Sequence, residues 1–78
     1  MPVFDRHIPV YPIRTVVRLT GVHPCRIRGW ERQNGLLRPA RTEGGHRLFS
    51  EEDVERIRSI WAMVAQGMSL KHIQQLIP

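Results

Sequence analysis

The feature that most constrains this chain is a pair of short helical segments separated by a tight glycine turn, within residues 13–37. One face of the first segment carries side chains at the i, i+3, i+4, i+7 spacing of a helix, namely Ile13, Val16, Val17 and Thr20. Gly21 predicts the end of this helix, because glycine readily takes the positive φ of a C-terminal cap. Pro24 suits the first turn of a second helix, where a missing N–H costs no hydrogen bond.

The second helix separates its large apolar side chains from its polar ones. Ile27 and Trp30 share one face and are predicted to point inward. The outward residues are predicted to be Cys25, Arg26, Gly29, Arg32 and Gln33. Asn34–Gly35 is expected to end the helix. Two helices crossing over a glycine turn, the second with a basic outer face, are typical of a helix-turn-helix.

Basic charge is concentrated in the part of the chain that holds this motif. The formal net charge is +5, but residues 1–49 carry nine arginines against three acidic residues, whereas residues 50–78 carry three basic against four acidic residues. Eleven of the twelve basic residues are arginine, which suits bidentate contacts to phosphate and guanine. The sequence therefore predicts a polyanionic partner, and an ordinary solvated basic surface is the alternative.

Composition and length restrict the class of protein further. Seventy-eight residues suffice for one small domain with a thin core. No run approaches the ~18 apolar residues of a membrane span, and prolines and charges interrupt the N-terminus where a signal peptide needs an apolar stretch. The single cysteine, Cys25, cannot form an internal disulfide. We therefore expect a cytoplasmic protein that has no membrane contact.

Residues 1–10 are predicted to form an N-terminal arm, and residues 11–78 the domain itself. Pro2, Pro9 and Pro12 disfavour a helix at the N-terminus. Five apolar side chains among the first eleven residues are too many for a purely solvated tail. We expect an extended arm, ending in a short strand, that packs on the domain or on a second chain. A frayed terminus is the alternative.

A hairpin signal follows the second helix. The turn sequence Glu43–Gly44–Gly45–His46 lies between two short mixed segments, Arg38–Thr42 and Arg47–Phe49. Because a two-stranded ribbon is marginal alone, we expect it to lie on the helices as a wing, with its arginines and His46 reaching outward. An irregular glycine-rich loop is the alternative.

Two further helices are predicted after the wing. Ser50 precedes three acidic residues and can cap a helix of about four turns. Its inner face is predicted to carry Val54, Ile57, Trp61, Val64 and Ala65. Gly67 ends this helix, and Ser69 begins a last one whose buried face is predicted to hold Leu70, Ile73, Leu76 and Ile77. The predicted fold is therefore mainly α, with about four helices and a small β-hairpin wing: a winged helix-turn-helix.

Four blocks of the sequence resemble, in order and spacing, the DNA-binding domain of the MerR family of transcription regulators. They cover about residues 11–77 and are YPIRTVVRLTGVHPCRIRGWE, GLLRPARTEGGHRLFSEEDVERI, the helix that follows, and GMSLKHIQQLI. Within the family, VYPI and RTEGGHRLF are most similar to the GlnR/TnrA and HspR-like branch. The resemblance implies a homodimer on a pseudopalindromic operator in double-stranded DNA, with the second helix in the major groove and the wing beside it. RNA polymerase would be affected indirectly, through activation or repression at the promoter.

Carried over position by position, the resemblance also implies DNA-contacting residues. On or beside the second helix these are His23, Cys25, Arg26, Arg28 and Arg32. On the wing they are Arg41, His46 and Arg47, and near the first helix Thr15 and Arg18 are candidates for phosphate contacts. Many relatives carry two aromatic residues where this chain has Gly29–Trp30, so a groove-side aromatic is missing. Most continue into a dimerising helix, so dimerisation is expected through the arm or through a C-terminal region absent from this chain.

Other residue patterns predict no further chemistry. Cys25 and His23 alone cannot satisfy tetrahedral zinc, and the four histidines lack ligand spacing, so no metal and no cofactor are expected. Ser50, Ser59 and Ser69 are explained as helix caps or surface residues, and no acid pair is expected in a cleft, so an enzyme is not expected. Arg28 could pair with Glu31, and Trp61 is predicted to lie in the core. Arg56 and Arg58 are expected to pair with Glu52 and Glu55 or to remain solvated.

Two alternatives to a transcription regulator are an excisionase-like architectural DNA-binding protein and a MerR-like protein-interaction module that does not bind DNA.

Overall fold

A computed structural model of the chain describes residues 5–33 and 35–77. The elements in order are β1 (Tyr11–Pro12), α1 (Ile13–Thr20), α2 (Pro24–Arg32), β2 (Ala40–Arg41), β3 (Arg47–Phe49), α3 (Glu51–Ala65) and α4 (Leu70–Leu76). The strands form one antiparallel sheet in the order β1-β3-β2. The predicted winged helix-turn-helix is confirmed, but the wing was expected to have two strands and its sheet has three. The proline in β1 is tolerated because β1 is an edge strand.

The turn between α1 and α2 follows from glycine and proline chemistry. Gly21 has a φ of 72°, and its N–H donates to the Val17 carbonyl oxygen at 2.8 Å. Pro24 is the first residue of α2, and the Cys25 N–H donates to His23 Nδ1 at 3.1 Å, which caps the helix. Asn34, which was expected to help end α2, lies outside the described residues.

The hydrophobic core lies where β3 meets α1 and α3, with α2 packed on α1 and α4 on α3. Its buried members are Val16, Val22, Ile27, Trp30, Leu36, Leu37, Phe49, Val54, Ile57, Ile60 and Ile73. The inward orientation of Ile27 and Trp30 is confirmed. Ile60 was missed, and it replaces Trp61 as the third buried residue of α3.

Three residues assigned to buried helix faces lie elsewhere. Trp61 is only half-buried, because it is one position round the helix from Ile60, at the edge of the face that meets the core. Ala65, in the last turn of α3, is exposed. Leu76 is 55% exposed, because α4 is short and buries one narrow side, around Ile73, with Leu70 and Ile77 half-buried beside it.

The arm predicted for residues 1–10 is described from Asp5 onward, and it runs across the N-terminal end of α3. The Glu52 N–H donates to the Arg6 carbonyl oxygen at 3.0 Å, so the arm satisfies a free N–H of the first helical turn. The Arg6 side chain pairs with Glu55. The Val10 N–H donates to the carbonyl oxygen of Phe49 at 3.0 Å and extends the β1–β3 pairing by one bond. Residues 5–10 therefore pack on their own domain.

Side chains at the start of α3 reinforce this junction. Ser50 Oγ accepts from the Asp53 N–H at 3.1 Å, and Asp53 Oδ2 accepts from the Ser50 N–H at 2.9 Å, which is a capping box. The Tyr11 hydroxyl donates to Glu51 Oε2 at 2.9 Å. This hydrogen bond and the negative charge of the same carboxylate raise the pKa of Tyr11 above its ordinary value. The strand before α1 is thereby joined to the beginning of α3.

Candidate nucleic-acid interface

The outer face of α2 carries two arginines whose side chains contact a neighbour. The Arg26 guanidinium carbon lies 4.8 Å from the centroid of the Trp61 ring, over its face. Arg28 Nη2 lies 3.8 Å from the Sγ atom of Cys25, one turn earlier in the helix. Arg32, also exposed, is in the last turn, where the helix dipole favours a positive charge. Two arginines of the basic face of α2 are therefore held by contacts within the chain.

Gly29 lies between these arginines on the outside of α2. A Cβ atom built on Gly29 would meet no described atom within 4 Å, leaving aside its two chain neighbours and the backbone of its own helix. Gly29 therefore does not face the core, in agreement with its predicted outward orientation. The missing groove-side aromatic therefore leaves open space beside Arg26 and Arg28 rather than a hole in the core.

The wing is attached to α2 through one carboxylate. Arg41 Nη2 donates to Glu31 Oε1 at 2.7 Å, and Arg47 Nε donates to Glu31 Oε2 at 2.9 Å. The side chain of Glu31 is 14% exposed and that of Arg47 is 17% exposed. Arg41 and Arg47 were predicted to remain free to reach outward, but both are paired with Glu31, although Arg41 stays 45% exposed. The reason is the strand register: Arg41 is directly opposite Arg47, which places both side chains on one face of the ribbon, towards α2. Arg28, which was considered as an alternative partner for Glu31, contacts Cys25.

A basic groove lies between α1, α2 and the wing. It has a volume of about 470 Å³, and its basic lining residues are Arg14, Arg28, His46 and Arg47. The described lining includes no acidic side chain. The exposed Arg14 was missed, although the sequence held a signal. It lies in the first turn of α1, where the helix dipole disfavours a positive charge, so its presence there suggests a role outside helix stability.

The other predicted site residues are not among the residues that line this groove. Arg18 is exposed in the last turn of α1 and is four residues from Arg14, so the two share one side of the helix. Thr15 is half-buried on α1. The imidazole of His23 caps α2, and Cys25 is an exposed free thiol in the first turn of that helix.

Two arginines of α3 serve the scaffold. Arg56 Nε donates to the Leu36 carbonyl oxygen at 2.7 Å, and Arg58 Nη2 donates to the Leu19 carbonyl oxygen at 3.1 Å. The Leu19 carbonyl is in the last turn of α1 and has no partner within the helix, so Arg58 supplies one. Of the acidic residues that were considered as their partners, Glu55 forms an ion pair with Arg6 of the arm, and Glu52 Oε2 lies 2.9 Å from His7 Nδ1.

The described residues contain no group of three or more His, Cys, Asp or Glu side chains arranged to hold a metal ion. None of the helices in residues 5–33 and 35–77 has the length and apolar character that a membrane crossing requires.

Comparison with known proteins places this architecture in a family. The family described as MerR HTH family regulatory protein matches residues 11–78. The chain belongs to the MerR family. This confirms the resemblance inferred from the four sequence blocks.

Several characterised members of the MerR family are similar to this chain. The HTH-type transcriptional regulator MlrA of Escherichia coli (strain K12) is 40% identical over 68 residues, which are 87% of this chain and 28% of MlrA. The HTH-type transcriptional regulator GlnR of Bacillus anthracis is 38% identical over 72 residues, 92% of this chain and 55% of GlnR. The HTH-type transcriptional repressor CarA of Myxococcus xanthus is 40% identical over 60 residues, 74% of this chain and 21% of CarA. The chain thus spans about a fifth to a half of the length of these relatives.

A solved structure shows the same fold. It is the crystal structure of HiNmlR, a MerR family regulator lacking the sensor domain, bound to promoter DNA. It matches with a TM-score of 0.77 at 24% identity, covering 85% of this chain and 50% of that one. The four helices and the small sheet are therefore the MerR-type winged helix.

Proposed function

We propose that this MerR-family chain binds double-stranded DNA in a sequence-specific manner as part of a transcription regulator. The observation that carries the proposal is the basic groove, in which Arg14 of α1, Arg28 of α2 and His46 and Arg47 of the wing converge. Guanidinium groups from three separate elements suit a phosphate of the DNA backbone, which would fix the register of the domain on the duplex. The relatives named as transcriptional regulators and the DNA-bound HiNmlR support the same function.

The outer face of α2 is proposed to enter the major groove. Residues in the first turns of a recognition helix contact base edges, and here these are His23, Cys25 and Arg26, whereas Arg28 lines the groove proposed for the phosphate. Arg18, Thr15 and Arg32 lie on either side and are proposed to contact phosphates. On the wing, Arg41 and Arg47 share the single negative charge of Glu31, so this cluster keeps a net positive charge for the flanking backbone. Promoter binding would influence RNA polymerase indirectly, in the cytoplasm.

The salt dependence of DNA binding tests this proposal. A duplex selected from a random pool, and a scrambled duplex of the same composition, would be titrated by fluorescence anisotropy at two salt concentrations. We expect tighter binding to the selected duplex and an affinity that falls with salt, because phosphate contacts release counterions. Replacing Arg14 with alanine should reduce the slope of log K against log salt by about 0.9. Lys71→Ala removes the same charge from an exposed position on α4 and should leave the slope unchanged.

Other results of this titration would contradict the proposal. Equal affinity for both duplexes would favour an architectural DNA-binding protein, and no binding to either would favour a protein-interaction module.

We also infer that the chain acts as a homodimer on a pseudopalindromic operator, through the N-terminal arm or a C-terminal region outside this sequence. The arm is favoured here because Ile8 and Val10 are 52% and 57% exposed, although the backbone around them is held on α3 and β3. The double substitution Ile8→Ser/Val10→Ser should convert a dimer into a monomer in sedimentation velocity. Leu76→Ser, at an equally exposed apolar position on α4, is the control. A dimer that survives the double substitution would exclude the arm.

A further inference from the structure

The contact between Arg26 and Trp61 joins the proposed reading helix to a residue outside the helix-turn-helix. Arg26 is the third residue of α2, whereas Trp61 lies in α3. The guanidinium carbon is 4.8 Å from the ring centroid, within the range of an energetically useful cation–π contact. Trp61 packs on the core from its edge and remains half-buried, so its ring is fixed while one face stays available.

Arg26 differs from Arg28, Arg41 and Arg47 in how the N–H donors of its guanidinium group are used. Arg41 and Arg47 donate to Glu31, and Arg28 donates to the sulfur of Cys25. Within residues 5–33 and 35–77, the Arg26 guanidinium has the Trp61 ring as its contact and donates no hydrogen bond. A guanidinium held through its face keeps the N–H groups at its edge available, in the planar fork that matches guanine O6 and N7.

We propose that Trp61 is a positioning residue for DNA recognition. It holds the Arg26 side chain so that its free N–H edge is presented to one base pair at the start of α2. The arginine then loses less rotamer freedom when it binds, and its position relative to the bases is set by the scaffold helix α3. Arg26 and Trp61 together therefore determine specificity at one operator position, and this inference rests on the proposed function.

A double-mutant cycle on the selected duplex tests the inference. Trp61→Leu should weaken binding about two- to fivefold, the size of an exposed cation–π contact, and Arg26→Ala by about fivefold or more. In the Arg26→Ala background, Trp61→Leu should have no further effect. Trp61→Phe keeps an aromatic face and should restore most of the affinity. Urea unfolding of each variant would establish that all of them are folded at the assay temperature.

Discrimination between base pairs separates a positioning role of Trp61 from a purely structural one, because a structural role would not change it at one operator position alone. Both Trp61→Leu and Arg26→Ala should relax discrimination at the same single base pair when each operator position is substituted in turn. The inference would be overturned if Trp61→Leu reduced affinity equally in the wild-type and Arg26→Ala backgrounds, or if it weakened binding to all duplexes uniformly. In both cases the wild-type protein would still prefer the selected duplex. Failure of the proposed function would instead appear as a wild-type protein that does not discriminate between the selected and scrambled duplexes.

The contact can also be measured without DNA. Ring currents of Trp61 should shift the δ protons of Arg26 upfield in the NMR spectrum, and Trp61→Leu should remove the shift while Trp61→Phe retains part of it. An Arg26 side chain with the shifts of a free arginine in the wild-type protein would overturn the inference at its first step.

Discussion

Replacing Glu31 with alanine is expected to separate the wing from α2 and to reduce discrimination between the selected and scrambled duplexes at least tenfold. Glu31 is the shared acceptor for Arg41 and Arg47, at 2.7 and 2.9 Å. Without it, two like charges face each other across the ribbon and the wing loses its fixed position on the reading helix. A tenfold loss corresponds to about 1.4 kcal/mol, slightly less than the ~1.5–3 kcal/mol of a hydrogen bond to a charged group, because solvent screens this partly exposed cluster.

Glu31→Ala changes both the position of the wing and the net charge of the domain, and the two changes affect DNA binding differently. Removing an acidic residue makes the domain more positive, which by itself strengthens binding to any duplex. Glu43→Ala is therefore the matched control, since it removes the same charge from the exposed turn of the wing. Glu43→Ala should bind both duplexes somewhat more tightly and keep its discrimination. Unchanged discrimination in Glu31→Ala, or an equal loss in the two variants, would contradict the assigned role of Glu31.

Replacing Phe49 with alanine should have the largest effect on folding. Phe49 is fully buried in β3, the central strand, where the sheet meets the helices. Truncating a buried phenylalanine costs about 3–5 kcal/mol. A domain of this length has a total stability of roughly 4–12 kcal/mol. We therefore expect the free energy of unfolding, measured by urea denaturation with circular dichroism, to fall by about a quarter or more.

Leu48→Ala is the control for Phe49→Ala. Leu48 is the neighbouring residue of the same strand but is only half-buried. Because less apolar surface is lost at Leu48, its truncation should cost less than half as much. Equal losses at the two positions would mean that β3 contributes through its backbone pairing rather than through the burial of Phe49.

Sequence patterns predicted the elements of this fold because their signals are local. The φ of Gly21, the position of Pro24 and the capping box at Ser50 depend on steric and hydrogen-bonding rules that act over a few residues. The inward faces of α1 and α2 followed from helical periodicity for the same reason. In α3 the helical spacing was assigned to Trp61, and the neighbouring Ile60 was missed. The packing of α3 against α1 and β3 decides which side of the helix meets the core, and Ile60 is buried whereas Trp61 lies at the edge.

The candidate site was predictable only in part. The sequence indicated which helix and which wing would be basic, and it named Arg28, His46 and Arg47, which meet in one groove. It did not indicate that Arg14 joins them, because their meeting depends on how α1 lies against the ribbon.

The sequence by itself therefore determined the helix starts and ends, the order of the elements and the basic character of one surface. The tertiary structure alone decided which arginines pair with other side chains and which keep N–H donors available for a ligand. Strand register turns Arg41 and Arg47 towards Glu31, and the packing of α3 brings Trp61 under Arg26. Each of these contacts joins residues that are 10 to 35 positions apart. Local propensity does not act over such separations, so the pairing of long flexible side chains is settled only when the core has closed.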